Sequence, residues 1–453
     1  MTTLYSASWV LPISSDPIKD GAIAIKGSQI TDVGSGASLV ASYPDSTLHH
    51  YPDAAILPGL INAHSHLELT AMRGFLESEE SDFTGWLKKL TVARLELMTP
   101  DDRYISAACG ATEAVRSGVT ALADSCDGAY ESMKALGDVG LRGIVFQESF
   151  GPDPRLADDN FARLNAKVAR LADLETPLVK VGVSPHAPYT VCGRQLELIS
   201  EFALTEGLPL MMHAAESAAE ERLLREGRGT FAEALAKRGI EWHTPGVSTI
   251  QYLKRHCVLQ TKPLLAHCIR VDNADIETLK ESGARIAHCP KSNAKLGHGR
   301  APFWTFLDRG IAVGLGSDSV ASNNTCDILE EARFATLMAR SDTGEMSGRR
   351  MLAATDALHA ATAGGARALS LEGHTGELKA GLQADFAVVS LAGPHQLPSY
   401  DPINTLIFAS SGRDVVLTVV AGKEVFRAGQ VITTDEERLA ARMKEIAVKL
   451  GGA

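Results

Sequence analysis

The chain is poor in the features that mark membrane, secreted and nucleic-acid-binding proteins. No uninterrupted apolar run approaches the ~20 residues that a bilayer-spanning helix needs. Met1 to Asp20 lack a basic stretch followed by an apolar core and a cleavage site, so no export signal is expected there. Positive charge is in deficit, with 44 Lys and Arg against 55 Asp and Glu and a net charge of −11. A phosphate backbone needs a basic surface, so nucleic acid is excluded as the expected partner, and the charge itself says nothing positive about a substrate. The seven cysteines (Cys109, Cys126, Cys192, Cys257, Cys268, Cys289 and Cys326) are odd in number and contain no Cys-x-x-Cys. That excludes a disulfide framework or zinc knuckle and fits reduced thiols in a cytoplasmic protein. No Gly-x-Gly-x-x-Gly follows an early strand, which weighs against a dinucleotide-binding open sheet, and there is no internal repeat.

What is present is a large soluble-type composition, 45% hydrophobic and 22% charged over 453 residues, enough for a barrel plus a smaller domain. The middle of the chain alternates short apolar runs with longer amphipathic stretches. The runs are 56–63, 119–123, 143–148, 179–183, 209–212, 263–266, 284–287 and 311–316. Eight strand-then-helix units predict an α/β fold, a (β/α)8 TIM-like barrel of parallel strands. Both chain ends read instead as short strands and turns, as in Asp385-Phe386-Ala387-Val388-Val389-Ser390. They are expected to pair into a small β-sandwich domain. The expected boundaries are 1–56 with 376–435 for the β domain, 57–375 for the barrel and 436–453 for a charged terminal helix.

Polar residues sit where the candidate strands end. His64 and His66 follow the first strand, His186 the fourth, His213 the fifth, His267 the sixth, His288 the seventh and Asp318 the eighth. In a parallel barrel all these ends open on one face, where active sites lie. Taken singly, each histidine reads as a hydrogen-bonded core residue. Six histidines and an aspartate, all at strand ends, read as a metal site. Three imidazoles with one carboxylate suit zinc, with ferrous iron and manganese less exclusive fits, and leave room for a water whose pKa falls to about 7 on the ion. Glu216, three residues past His213, is placed to take a proton from that water and pass it on.

These residues resemble the amidohydrolase superfamily over nearly the whole length. The resemblance is carried by Pro58-Gly59-Leu60-Ile61-Asn62-Ala63-His64-Ser65-His66 and by Gly376-Glu377-Leu378-Lys379-Ala380-Gly381-Leu382-Gln383-Ala384-Asp385-Phe386. The closer likeness is to its hydrolytic deaminase and chlorohydrolase branch. The fourth strand ends Gly182-Val183-Ser184-Pro185-His186 without the lysine of two-metal relatives, so one metal ion is implied, zinc first and iron second. The resemblance implies His64, His66, His213 and Asp318 as metal ligands. It implies Glu216 as proton shuttle, and His267 and Asp318 as groups acting on the attacking water or the tetrahedral centre. It implies His186 as substrate-facing, and a homodimer.

The implied reaction is hydrolytic removal of ammonia from a cyclic amidine. His66-Leu67-Glu68-Leu69-Thr70 and Thr84-Gly85-Trp86-Leu87 resemble 6-aminodeoxyfutalosine deaminases. Ala71-Met72-Arg73-Gly74 and the segment from Ser319 to Asn324 resemble S-adenosylhomocysteine and methylthioadenosine deaminases. Both point to an adenine nucleoside with a modified 5′ position, 6-aminodeoxyfutalosine narrowly ahead. Those enzymes grip the ribose with a glutamate past the Trp-Leu segment, for which Glu96 is the nearest candidate. Glu68, Trp86, His186, His298 and Arg300 are the expected substrate contacts, the last two from a glycine-bearing loop after the seventh strand. The competing expectations are a chlorohydrolase, a guanine-, cytosine- or pterin-type deaminase, and a non-enzymatic assembly protein.

Overall fold

The computed structural model describes residues 2–341 and 350–451. Parts of the expected units fall outside them: Met1 of the β domain, 342–349 of the barrel, and 452–453 of the terminal helix.

The chain begins with β1 (Thr2–Val10), β2 (Ile18–Lys26), β3 (Gln29–Ser35) and β4 (Thr47–Pro58). Eight strands of the middle follow: β5 (Leu60–Ser65), β6 (Val119–Cys126), β7 (Arg142–Ser149), β8 (Val179–Pro185), β9 (Met211–Ala214), β10 (Leu264–His267), β11 (Arg285–His288) and β12 (Val313–Leu315). The run 56–63, expected as one strand, is two. The break is at Gly59, where a Cβ would stand 1.9 Å from Thr120 Oγ1, so only glycine lets the chain pass from one sheet into the other.

β5 to β8 pair in parallel, as do β9 to β12. Single parallel bridges join the two halves, Val183 to Leu210 on one side and Ser65 to Asp318 on the other. The eight strands therefore close into a TIM-like barrel. Alternate residues fill its interior: Ile61 and Ala63, Ala121 and Ala123, Ile144 and Phe146, with Met211, Leu264, Ala266 and Ala287. The intervening positions, among them Leu60, Leu122, Val145 and Val181, join the core shared with the surrounding helices.

The chain ends supply β13 (Phe386–Ser390), β14 (Val415–Val420), β15 (Lys423–Arg427) and β16 (Gln430–Val431). Together with the first four strands they form one continuous eight-stranded sheet, in the order β16-β15-β14-β13-β4-β1-β2-β3. The expected pairing of the two ends is present, through β4 against β13. It makes a single sheet rather than two stacked ones, because this pairing joins both groups edge to edge. One face gathers Tyr5, Val10, Ile23, Ile56, Phe386 and Leu417 into its own cluster. The other face of β4 and β13 sends Ala55, Leu57, Ala387 and Val389 into the barrel-side core.

A buried ion pair bolts the two parts together. Arg142 at the start of β7 donates from Nε to Asp385 Oδ2 at 2.8 Å, and Asp385 Oδ1 accepts from the Ala421 N–H. The helix Glu436–Gly451 closes the described chain and pairs Lys449 with Asp102 at 2.7 Å. No described helix is long and apolar enough to cross a membrane.

Candidate active site

The C-terminal ends of the barrel strands carry the chemistry. Strict alternation would send Ala63 and His64 to opposite faces. The pairing of β5 with β6 shifts register between Asn62 and Ser65, and His267 and Asp318 have left-handed backbone, φ 74° and 57°. These departures let neighbouring positions turn into one opening, and such conformations persist where the surrounding structure over-determines them.

His64, His66 and His213 bring ligand atoms within 4.8 Å of one another, and so do His64, His267 and Asp318. His66 Nε2 lies 3.1 Å from His213 Nε2. His213 Nδ1 faces the His186 carbonyl at 2.9 Å and so carries the proton, leaving Nε2 as a lone pair. Asp318 Oδ1 lies 3.4 Å from His64 Nε2 and 3.5 Å from His66 Nε2. Both ring nitrogens of His64 are buried and make no hydrogen bond among the described residues. Converging imidazole lone pairs beside a carboxylate, with an orphaned buried ring, are what a divalent cation would satisfy. The donor set fits such an ion.

The electrostatics agree. Burial, followed by the neighbouring His64 ring, pushes His66 down to about 3. Burial, then His186 and His64, holds His213 well below the usual imidazole value. Burial opposes the charge of Asp318, yet His64, His267 and His66 keep its carboxyl well below the ordinary range. Neutral imidazoles and an ionised carboxylate are the ligand forms a metal takes. Asp318 is held in place by the hydroxyls of Ser292 at 2.5 Å and Ser322 at 3.2 Å and by the Ser319 N–H at 2.7 Å.

Glu216 stands on the other side of this cluster, 5% exposed. Burial raises its carboxyl to about 7. Its Oε1 is 3.8 Å from His267 Nε2 and 3.6 Å from His298 Nε2, and the Tyr189 hydroxyl donates to Oε2 at 3.5 Å. His267 is fixed through Nδ1, 2.9 Å from Asn293 Oδ1. Burial opposes its charge, but Glu216 and Asp318 raise it on balance. A cavity of about 60 Å³ opens above, lined by His66, His186, His213, Glu216, His267 and Asp318 below. Leu69, Phe83, Trp86, Leu87, Leu90 and Leu296 form its apolar wall. A larger cavity of about 690 Å³ lies near Asp16, Trp304 and His359, but none of the ligand clusters found among the described residues lines it.

The expected substrate contacts divide. Trp86 and His186 line the cavity. His298 stands behind the lining, beside Glu216 and with its ring edge-on to Phe83 at 4.5 Å. Glu68 lies beneath, fully buried, accepting the N–H groups of Asp127 and Gly128 at 3.1 Å each. Arg300 is exposed and donates to the Met338 carbonyl at 3.2 Å. Glu96, the nearest candidate for gripping a ribose, is exposed. His288 stacks on Phe303 at 4.9 Å, away from the ligand clusters.

Residues not singled out from the sequence also meet here. Glu148 and Arg94 form the polar corner of the cavity, with Tyr189 beside Glu216. Burial drives the Glu148 carboxyl up to about 8 against the pull of Arg94. Glu148 was detectable, since it is the last residue of the third candidate strand and falls under the same strand-end rule as the histidines. Arg94 sits in a single π-turn, Ala93–Leu97, that no residue pattern announces.

Comparison with known proteins gives the family. Residues 55–425 match the model of the Amidohydrolase family. A 5-methylthioadenosine/S-adenosylhomocysteine deaminase of Pelotomaculum thermopropionicum is 33% identical over 434 residues, 95% of this chain and 94% of the relative. A 5'-deoxyadenosine deaminase of Methanosarcina mazei is 30% identical over 452 residues, covering 98% and 97%. The crystal structure of an adenosine deaminase from Xanthomonas campestris with bound zinc superposes with a TM-score of 0.86 at 25% identity, over 100% of this chain and 99% of that one. The chain belongs to the amidohydrolase family and is a hydrolase of carbon–nitrogen bonds.

Proposed function

We propose that this chain hydrolytically deaminates the adenine ring of a 5′-modified nucleoside with the help of one divalent ion. The observation that carries the reading is Glu216: a buried carboxylate raised to about 7, facing His267 and set across the cavity floor from the Asp318 cluster. In this reading His64, His66, His213 and Asp318 hold the ion, zinc first and iron second. When bound, such an ion lowers the pKa of a water and supplies hydroxide near neutral pH. Asp318 orients that water by accepting its hydrogen. Glu216 takes one proton from the water and delivers it to the ring nitrogen beside the reacting carbon, where it stays, then relays the second, from the hydroxyl now on that carbon, to the departing amine as the carbonyl forms. A carboxyl near neutrality can do both. His267, pinned at Nδ1 by Asn293 and favoured as an imidazolium by Glu216 and Asp318, donates from Nε2 to the oxygen that gains charge as the ring carbon becomes tetrahedral. The apolar wall of Leu69, Trp86 and Leu90 packs on the base and keeps bulk water out.

Within this class the names of the relatives favour a methylthio-, homocysteinyl- or 5′-deoxy-substituted adenosine. That reverses the order suggested by the Glu68 pattern, because Glu68 is spent on two backbone N–H groups under the pocket. 6-Aminodeoxyfutalosine stays second, on the stretch from His66 to Thr70. Chloride release is disfavoured by the presence of Glu216, since chloride needs no proton to leave.

The test is steady-state turnover of zinc-loaded protein on a panel of adenine nucleosides, guanine, cytosine and a chlorotriazine, with ammonia and chloride assayed. Ammonia from 5′-modified adenosines supports the reading. Chloride release, or no ammonia from any adenine compound, overturns it.

A further inference from the structure

A third carboxylate lines the cavity beside Glu216 and Asp318, and the reaction gives it no part. Glu148, near the end of β7, is 3% exposed. Its contacts are all long: 3.4 Å from Oε2 to Arg94 Nη1, 3.5 Å from the Ser125 hydroxyl to Oε1, and 4.0 Å from Oε1 to His66 Nδ1. A carboxylate accepts about four hydrogen bonds, so most of its acceptor capacity is unused. Glu68, the other carboxylate that Arg94 meets, accepts two backbone N–H groups at 3.1 Å each and lies under the cavity. Arg94 itself is 7% exposed, and its Nε has no partner among the described residues. The corner is thus a built one: an arginine wedged between two acids, with the acid on the cavity side left open.

A second metal ion does not explain it. Glu148, His186 and His213 do come within 4.8 Å of one another. The Nδ1 of His213 is committed to the His186 carbonyl and its Nε2 to the cluster with His66, so it has no lone pair to give. A cationic ligand is no better a fit, because the Arg94 guanidinium stands 3.4 Å from Glu148, lines the same cavity and would repel it. What suits an anchored acceptor that already faces a cation is a neutral group with O–H donors.

Location narrows the group. Glu216, His267 and Asp318 come from one half of the barrel rim, at β9, β10 and the loop after β12. Glu148 and His186 come from the other half, at β7 and β8. A base reacting between Glu216 and Asp318 sends its sugar toward the second half. We infer that Glu148, tethered by Arg94, grips the vicinal 2′- and 3′-hydroxyls of the nucleoside and makes the sugar diol a requirement. The inference rests on the nucleoside reading above and deepens it, placing sugar recognition on β7 rather than on the exposed Glu96.

The experiment compares 5′-deoxyadenosine with its 2′- and 3′-deoxy analogues on the zinc-loaded full chain, wild type and Glu148→Gln, with metal content measured on each. Wild type is expected to prefer the diol in kcat/KM by about 3- to 10-fold per hydroxyl, the range of a neutral hydrogen bond. Glu148→Gln is expected to hold metal, lose most of that preference, and fall furthest toward the diol and less toward each deoxy analogue, which keeps one hydroxyl. A purely structural role would lower all substrates together. A Gln variant that keeps the wild-type preference overturns the inference. So does wild-type protein that turns over the deoxy analogues as well as the parent, a comparison that needs no variant. Absence of ammonia from every adenine nucleoside would instead remove the reading underneath.

Discussion

At the scale of single residues, the division of labour rests on where protons sit. His66 and His213 are kept neutral by burial, Asp318 is kept ionised by its histidine neighbours, and Glu216 is raised to about 7 by burial. Replacing Glu216 by Gln leaves the ligand atoms untouched. Bound metal, read by atomic absorption, should match wild type while kcat falls by about 10²-fold or more. His213→Ala should instead lose the metal. The pH profile carries a sign. Glu216 must be deprotonated to accept the water's proton, so kcat/KM should rise with pH through a limb above the ~4.3 of an ordinary glutamate and no higher than about 7. That limb should vanish from the residual activity of Glu216→Gln; a limb left in place would take the proton away from this residue. The histidines and Asp318 were legible because strand ends are a pattern a sequence displays. Arg300 misled because a loop's chain order does not say which way a side chain leaves it, and Arg94 was invisible because a one-turn π-bulge has no composition.

At the scale of elements, the informative places are the joints. Gly59 splits one apolar run between two sheets because Thr120 occupies the space a side chain would need. Hydrophobic periodicity cannot register that, since the run stays apolar through the break. The segment that returns the chain to the terminal sheet was legible as a motif, and the structure shows what its aspartate is for. Asp385 is fully buried against Arg142 and also ties down Ala421. Removing one partner of a buried pair leaves an uncompensated charge, so Asp385→Ala should cost about 3–5 kcal/mol in urea unfolding, far more than an exposed ion pair. The double variant Asp385→Ala with Arg142→Met should recover part of that loss. If Asp385→Ala unfolds like wild type, the pair does not hold the sheet to the barrel.

At the scale of the molecule, the candidate metal cluster sits on the seam where the barrel closes. β5 meets the segment after β12 through the bridge between Ser65 and Asp318, where the Asp318 N–H donates to the His64 carbonyl at 2.9 Å, and through Asn62, which accepts the Ser317 N–H at 2.9 Å. An ion held by His64, His66, His213 and Asp318 would therefore tie the first, fifth and eighth barrel strands across that seam. It would bind the folded chain and not the unfolded one, and at a free concentration 100 times its Kd it should add about 2.7 kcal/mol of stability. Chelation should lower the thermal midpoint of wild type and leave that of His213→Ala unmoved. Acid acts on the same seam. His66, His213 and His186 all titrate below the ~6.5 of a free imidazole, so the unfolded chain binds protons that the folded one refuses. For these rings more protons sit on the unfolded side, so their contribution to the stability of metal-free protein is lost as pH falls from about 6.5 toward 3, the value of His66, while Glu216 and Glu148, raised to about 7 and about 8, contribute in the opposite sense. Bound metal should protect against the first part of that fall, because protons must then displace the ion before they reach the rings. Equal acid sensitivity of the metal-loaded and metal-free protein, measured by denaturation at pH 7 and pH 5, would mean that the ion does not use these histidines.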